Sequence, residues 1–298
     1  MKIVLPGATI GLLGGGQNAR MFAFAARSMG YGVQLYSPDS DDVARPVCDG
    51  GVYRELDDLI SIRQFASSAD VLTVAGTGVP LQAIEAAADV GLMRPSSAAF
   101  ETLLSYPRSE VAAEVEFCLV AARGIRRECA FYSPIALDRQ EGVVDIARMP
   151  AAIGSRMASQ AANTAREILE KAEFVGVAGV EFLVSGTHEL TTSAVTPYSH
   201  DSGFLTADSC VTSQFEQHVR AVCGLPLGRT DLMKPSAMAN LSSAIWEASD
   251  PDWVSALLLP EVKLYIHGPR SGHLTATATS ATLAKQIVKA ARLALTRP

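Results

Sequence analysis

Ala8-Thr9-Ile10-Gly11-Leu12-Leu13-Gly14-Gly15-Gly16-Gln17-Asn18-Ala19 is the stretch that decides the fold. Ala8–Leu13 is a short apolar run of strand length, Gly14–Gln17 a glycine turn, and Asn18–Met29 a helix rich in Ala, Met and Phe that stops at Gly30. Gly14, Gly16 and Ala19 fit the spacing G-x-G-x-x-A, with Asp39 near the end of the next strand. Backbone amides at a helix N-terminus bind phosphate or another anion, and glycine lets such a ligand approach closely. That pattern admits nicotinamide-dependent redox chemistry, but the same residues also fit a plain strand-to-helix turn.

Outward from the loop, Val33–Tyr36 reads as a second strand, Leu56–Ser67 as a helix, Val71–Val74 as a strand and Leu81–Ala88 as a helix. This alternation predicts an α/β fold with a parallel sheet. Beyond it the character changes. Val115–Ala122 and Glu128–Tyr132 read as paired strands, and Ala158–Glu173 as an amphipathic helix. Ala178–Ser185 and Glu189–Thr196 read as a hairpin turned at Gly186-Thr187, and Asp208–Val222 as a helix ending at Gly224. Ala237–Leu241, Lys263–His267 and His273–Thr279 are short strands, followed by a last helix over Ser280–Leu295.

The chain of 298 residues has room for two or three small domains. Its net charge of −6 and lack of any basic run exclude a nucleic-acid surface. Lys2 followed by Ile3–Leu13 mimics a signal peptide, but Pro6 and Gly7 break the apolar run, and no run approaches a membrane span. Cys48, Cys118, Cys129, Cys210 and Cys223 lie far apart, which supports neither a zinc site nor a disulfide framework. Free thiols in a reducing cytoplasm are the expectation.

Further segments carry a family resemblance. Pro6-Gly7-Ala8-Thr9-Ile10-Gly11 through Gly14–Gln17, Arg20-Met21 and Met29-Gly30-Tyr31 open in a recognisable way. Val79-Pro80, Arg94-Pro95-Ser96 and Val177–Val184 follow, then His200, Ser202-Gly203 and the run Cys210-Val211-Thr212-Ser213-Gln214-Phe215-Glu216-Gln217-His218. Gly224-Leu225-Pro226-Leu227-Gly228, Val262-Lys263-Leu264 and Gly272-His273 complete the pattern. Over nearly its whole length the chain resembles N5-carboxyaminoimidazole ribonucleotide synthase of the ATP-grasp superfamily. The resemblance implies a Rossmann-like pre-ATP-grasp domain (1–96), a reduced ATP-grasp domain (97–235), a small C-terminal β domain with a terminal helix (236–298) and a homodimer. The family uses ATP to activate bicarbonate and carboxylates the amine of 5-aminoimidazole ribonucleotide.

The departures are as specific as the matches. No lysine occurs between Lys2 and Lys171, where the family has the lysines that hold the ATP phosphates. The segment between Arg94-Pro95-Ser96 and Glu116-Phe117 is too short for the family's ATP-clamping subdomain. Glu181 stands where the resemblance puts the first magnesium glutamate, but Ser193 and Ala194 replace the second pair of metal ligands and Tyr198 replaces an arginine. The acidic stretch that meets the nucleotide becomes Ala75-Gly76-Thr77-Gly78, and a basic stretch shrinks to Pro269-Arg270-Ser271. Phosphoryl transfer is positioning plus neutralisation of phosphate charge, so a member without these cations does not turn over ATP in the usual way.

The candidate catalytic residues are therefore His200, Asp201 and Glu181, limited to acid–base steps, with no metal and no cofactor. His200 also fits a structural turn, His273 a packed domain junction, and His218 a structural place within its helix. The candidate ligand contacts are Gly15, Gly16, Gln17, Asp39, Ser202, Gly203, Arg270 and His273. The expected function is ATP-independent action on a small phosphorylated imidazole or nucleotide-like ligand. The alternatives are a pseudoenzyme that binds a ligand or partner and, further off, a working ATP-dependent carboxylase. Nucleic acid and membrane are excluded as partners, and the cytoplasm is the expected location.

Overall fold

A computed structural model describes residues 2–109, 113–186, 189–247 and 250–296. Its first unit holds β1 (Thr9–Leu13), α1 (Gln17–Ser28), β2 (Gly32–Ser37), β3 (Gly50–Tyr53), α2 (Leu59–Ala66), β4 (Val71–Val74), α3 (Leu81–Ala88) and α4 (Ser97–Leu104). The strands form a wholly parallel sheet in the order β3-β2-β1-β4. Val71-Leu72-Thr73-Val74, buried at every position, is what a strand covered on both faces requires, its one hydroxyl on Thr73 being hydrogen-bonded. Small residues on α1 (Ala19, Ala23, Ala26) let the helix lie close to the sheet, with Phe22 filling the space between them. Gly30, at φ +83°, takes the left-handed conformation that turns the chain into β2.

The second unit is antiparallel. It contains β5 (Val115–Arg123), β6 (Cys129–Phe131), β7 (Ile135–Gln140), β8 (Val143–Met149), α5 (Ser155–Lys171), β9 (Gly176–Val184), β10 (Leu190–Thr196), α6 (Thr206–Ser209) and α7 (Gln214–Cys223). Then come β11 (Ser236–Leu241), α8 (Trp253–Leu257), β12 (Val262–Gly268), β13 (Ser271–Thr277) and α9 (Ala281–Ala294). All nine strands belong to one sheet, ordered β10-β9-β5-β7-β8-β11-β13-β12, with β6 also on β5. The pairing of β8 with β11 joins the strands before residue 236 to those after it. The two sheets meet through α7, whose Val219, Val222 and Cys223 pack into the apolar cluster beneath β1 and β2. His218 of α7 spans the junction. Its Nδ1 accepts the Val177 N–H at 3.0 Å and its Nε2 lies 2.9 Å from the Thr73 hydroxyl.

Several expected elements differ. The helix predicted over Asp208–Val222 is two helices, because Cys210 leaves α6 to bridge Leu232 and Ser213 restarts the chain as the cap of α7, accepting the Glu216 N–H. Strands β3, β7 and β8 and helices α4 and α8 lie outside the predicted set. The hairpin β9–β10 forms with Val184 opposite Leu190, while Thr187 of its predicted turn lies outside the described residues. Among the described residues no helix is long and apolar enough to cross a membrane.

Candidate active site

Glu181 follows from the alternation of β9. Its neighbours Val180 and Phe182 are fully buried, whereas Glu181 faces the cleft between the two sheets with 13% of its side chain exposed. Across the ladder on one side stands Cys118 of β5, and on the other Ala194 of β10, at a register shift that bulges Ser193. No second carboxylate therefore comes from β10 at this level.

His200 arrives from the loop after β10 and caps a short 3-10 helix over Asp201–Leu205. Gln214 at the start of α7 fixes its backbone, accepting the His200 N–H at 3.2 Å and donating to the His200 carbonyl at 2.8 Å. A Cβ on Gly203 would fall 2.2 Å from the Gln214 carboxamide oxygen, so glycine is needed there. The imidazole is held at both ends: Nδ1 meets the Ser202 hydroxyl at 2.7 Å, and the Nε2–H donates to Glu181 Oε1 at 2.8 Å. The other oxygen of Glu181 accepts from Arg139 Nη2 at 2.8 Å, and Arg139 Nε donates to Glu116 Oε1 at 2.6 Å.

These contacts set the charges. Burial by itself would raise the Glu181 pKa, but the hydrogen bonds and charges of His200 and Arg139 hold it at about 2. Burial by itself would lower the His200 pKa, but Cys118 and Glu181 outweigh it and place the imidazole well above its ordinary range. The result is a row of hydrogen-bonded groups along one wall of the cleft, with Arg139 between Glu116 and Glu181 and His200 on the other oxygen of Glu181. Among the described residues no group of three or more His, Cys, Asp or Glu side chains is arranged to hold a metal ion.

Two adjoining cavities open on this wall. One of about 250 Å³ is lined by Arg139, Glu181, His200, Thr77, Tyr198 and Asp201. The other, about 630 Å³, reaches from Gln17 and Asp201 to Ser271 and Gly272. They share Asp201 and the β8 residues Val143 and Val144. Asp201 is tied to the glycine loop's helix, accepting from Asn18 Nδ2 at 2.9 Å. The structure thus brings together Glu181, His200, Asp201 and Gln17, with Ser202 behind His200.

Other predicted contacts are placed differently. Gly16 N–H points at Asp42, whose two carboxylate oxygens each lie 3.1 Å away and also accept from the Ser37 hydroxyl and the Ala44 N–H. A Cβ on Gly15 would fall 1.5 Å from Asp42 Oδ2, so this carboxylate explains the glycine. Asp39 is exposed and accepts the Asp41 N–H. His273, 2% exposed, stacks on Tyr265 and pairs with His267 Nε2 at 2.7 Å; it lines neither cavity. Arg270 is exposed at the turn between β12 and β13, next to Ser271 at the cavity edge. Arg139, Glu116, Asp42 and Gln214 were not anticipated as contributors. For Gln214 a signal existed in the run Cys210–His218, whereas Arg139 lies in an unpredicted strand.

Comparison with known proteins agrees with this fold. A family model described as the ribonucleotide synthetase preATP-grasp domain matches residues 7–103, and the ATP-grasp domain matches 103–215. The chain is similar to N5-carboxyaminoimidazole ribonucleotide synthase of Bacillus subtilis, 26% identical over 356 residues that cover 92% of each chain. It is also similar to the Brucella melitensis synthase, 29% identical and covering 91% of this chain and 96% of the relative. Among solved structures, the Thermus thermophilus synthetase superposes with a TM-score of 0.88 at 23% identity, covering 97% and 99%. The Staphylococcus aureus synthetase complexed with ADP gives 0.87 at 21%, covering 98% and 99%. The order of the two matched domains and the fold together place this chain in the ATP-grasp superfamily, where it resembles N5-carboxyaminoimidazole ribonucleotide synthase.

Proposed function

We propose that this protein has left ATP chemistry behind and uses the cleft of its fold to act on a small phosphorylated imidazole or nucleotide-like ligand. The observation that carries the reading is the absence of lysine between Lys2 and Lys171, since triphosphate transfer depends on fixed cations around the phosphates. Two further facts support it. The alignment with the Bacillus subtilis relative runs over 356 positions against 298 residues in this chain, so at least 58 positions lack a counterpart here. In the fold, α4 ends at Leu104 and β5 begins at Val115, a connection too short for a lid over a nucleotide. The units are taken as 1–96, 97–235 and 236–298, assembled as a homodimer.

The ligand lies across the two joined cavities. Arg270 and Ser271 stand at the rim, where a phosphate can be reached by a charge-assisted hydrogen bond. Gln17 and Asp201 line the larger cavity, and His200 with Glu181 supplies a proton donor and its counter-charge in the smaller one. A second reading, binding without chemistry, draws on the full engagement of Glu181, both of whose oxygens are already hydrogen-bonded. Proton NMR of 5-aminoimidazole ribonucleotide incubated with the protein separates the two. Chemical change that His200→Ala abolishes supports the enzyme, binding without change supports the binder, and neither binding nor change rejects the site.

A further inference from the structure

Glu116 and Glu181 lie on one face of the antiparallel sheet. Cys118 sits directly opposite Glu181, and Glu116 is two residues along β5 on the same face, so the two carboxylates are diagonal neighbours. Diagonal carboxylates at the wall of a cleft repel each other unless a cation lies between them, and oxygen-rich pairs of this kind are how magnesium is bound. The resemblance places a magnesium glutamate at Glu181, so the fit of such an ion can be tested on the residues present.

It does not fit. The guanidinium of Arg139 reaches into this position from β7 and donates to three oxygens on three segments: Glu116 Oε1 through Nε at 2.6 Å, Glu181 Oε2 through Nη2 at 2.8 Å, and the Gly142 carbonyl through Nη1 at 3.0 Å. The remaining Glu181 oxygen belongs to His200. The three charged side chains are largely covered, at 27% exposure for Arg139, 23% for Glu116 and 13% for Glu181, so their pairing is only partly screened by water. A metal ion would have to displace a guanidinium hydrogen-bonded to both carboxylates to reach either of them.

We propose that Arg139 is the resident cation of this site, a positioning residue whose guanidinium stands between Glu116 and Glu181 in place of a divalent metal. The cleft then keeps its electrostatics without any ion. A guanidinium offers fixed N–H donors and no open coordination positions, so it cannot bridge the phosphates of a nucleoside triphosphate as an ion does. The ligand class is narrowed to molecules whose binding at this wall needs no metal. The inference deepens the ATP-independent reading and rests on it for the choice of Glu181 as the relevant carboxylate.

The test is Mn²⁺ binding by the full chain without nucleotide, followed by electron paramagnetic resonance. The parent is expected to show no saturable site up to about 1 mM, a range that covers weak oxygen-ligand sites. Arg139→Ala is expected to gain a single site at least about tenfold tighter than anything in the parent, and Arg139→Ala with Glu181→Gln to lose it. Arg139→Lys keeps a cation in place and should behave as the parent. A saturable parent site that Glu181→Gln removes overturns the proposal. So does a folded Arg139→Ala protein, checked by circular dichroism, that binds Mn²⁺ no better than the parent. If the alanine variant does not fold, Arg139→Gln is read by the same criteria. ATP turnover by the parent would reject the proposed function, while the role of Arg139 would still be decided by manganese binding.

Discussion

Lowering the pH from 7 to 5.5 should destabilise this protein through three buried histidines. His218 is held at about 3 by burial, and His267 at about 4 by burial with a contribution from Arg20. His273 is pushed well below the ordinary value of 6.5 by burial and by His267. Each is neutral when folded, whereas in the unfolded chain each takes up a proton near pH 6.5, so the unfolded state binds more protons as pH falls. Their contribution is fully present above the unfolded pKa and is lost as pH drops below it. Between pH 7 and 5.5 the loss is a little over about 1 kcal/mol per histidine, or about 4 kcal/mol for three. His200 works the other way. Its raised pKa gives stability that is full below the unfolded value and is lost as pH rises through the folded one, so acidification returns part of that loss. The net expectation is a fall of about 3 kcal/mol, a large share of a domain stability of about 5–15 kcal/mol. Urea unfolding by circular dichroism at the two pH values and constant ionic strength measures it. Stability that changes by less than about 1 kcal/mol would show that these imidazoles are not held neutral and dry.

Other expectations follow from single contacts. Asp42→Ala removes the carboxylate that gathers Gly16, Ser37 and Ala44, and should cost about 2–4 kcal/mol in urea unfolding; a loss under about 0.5 would show that the loop holds itself. Arg270→Ala should weaken binding of 5-aminoimidazole ribonucleotide in calorimetry by about ten- to a hundredfold while leaving the fold intact, and unchanged affinity removes Arg270 from the site. Light scattering at micromolar concentration should show a homodimer, and a monomer alone would contradict that assembly.

The legible parts of the fold were those where burial writes a simple pattern. β1 and β4 are covered on both faces and read as short, mostly apolar runs, and the glycine turn between β1 and α1 announces itself. β3 did not, because Gly50-Gly51 lacks side chains that signal a strand and its pairing with β2 is what fixes it. β7 and β8 were hidden because Asp138, Arg139, Gln140 and Glu141 read as a polar loop, although Glu141 and Gly142, both at positive φ, form a tight hairpin turn. Arg139 was missed with them. At the site, the sequence singled out His200 and Glu181 as separate candidates without showing their hydrogen bond, which depends on Gln214 and Ser202 turning the chain between β10 and α6. The carboxylate near the glycine loop was assigned to Asp39, but Asp42, three residues on, is the one that folds back. Spacing alone does not say which residue of a turn returns to the loop.

Phosphate release tests most directly whether the chain works without ATP. Purified protein is given ATP, Mg²⁺, bicarbonate and 5-aminoimidazole ribonucleotide, and inorganic phosphate is followed over time. No release above the rate without protein is expected. Release at an ordinary enzymatic rate of about 1 per second or more, dependent on both bicarbonate and the ribonucleotide, would contradict the ATP-independent function.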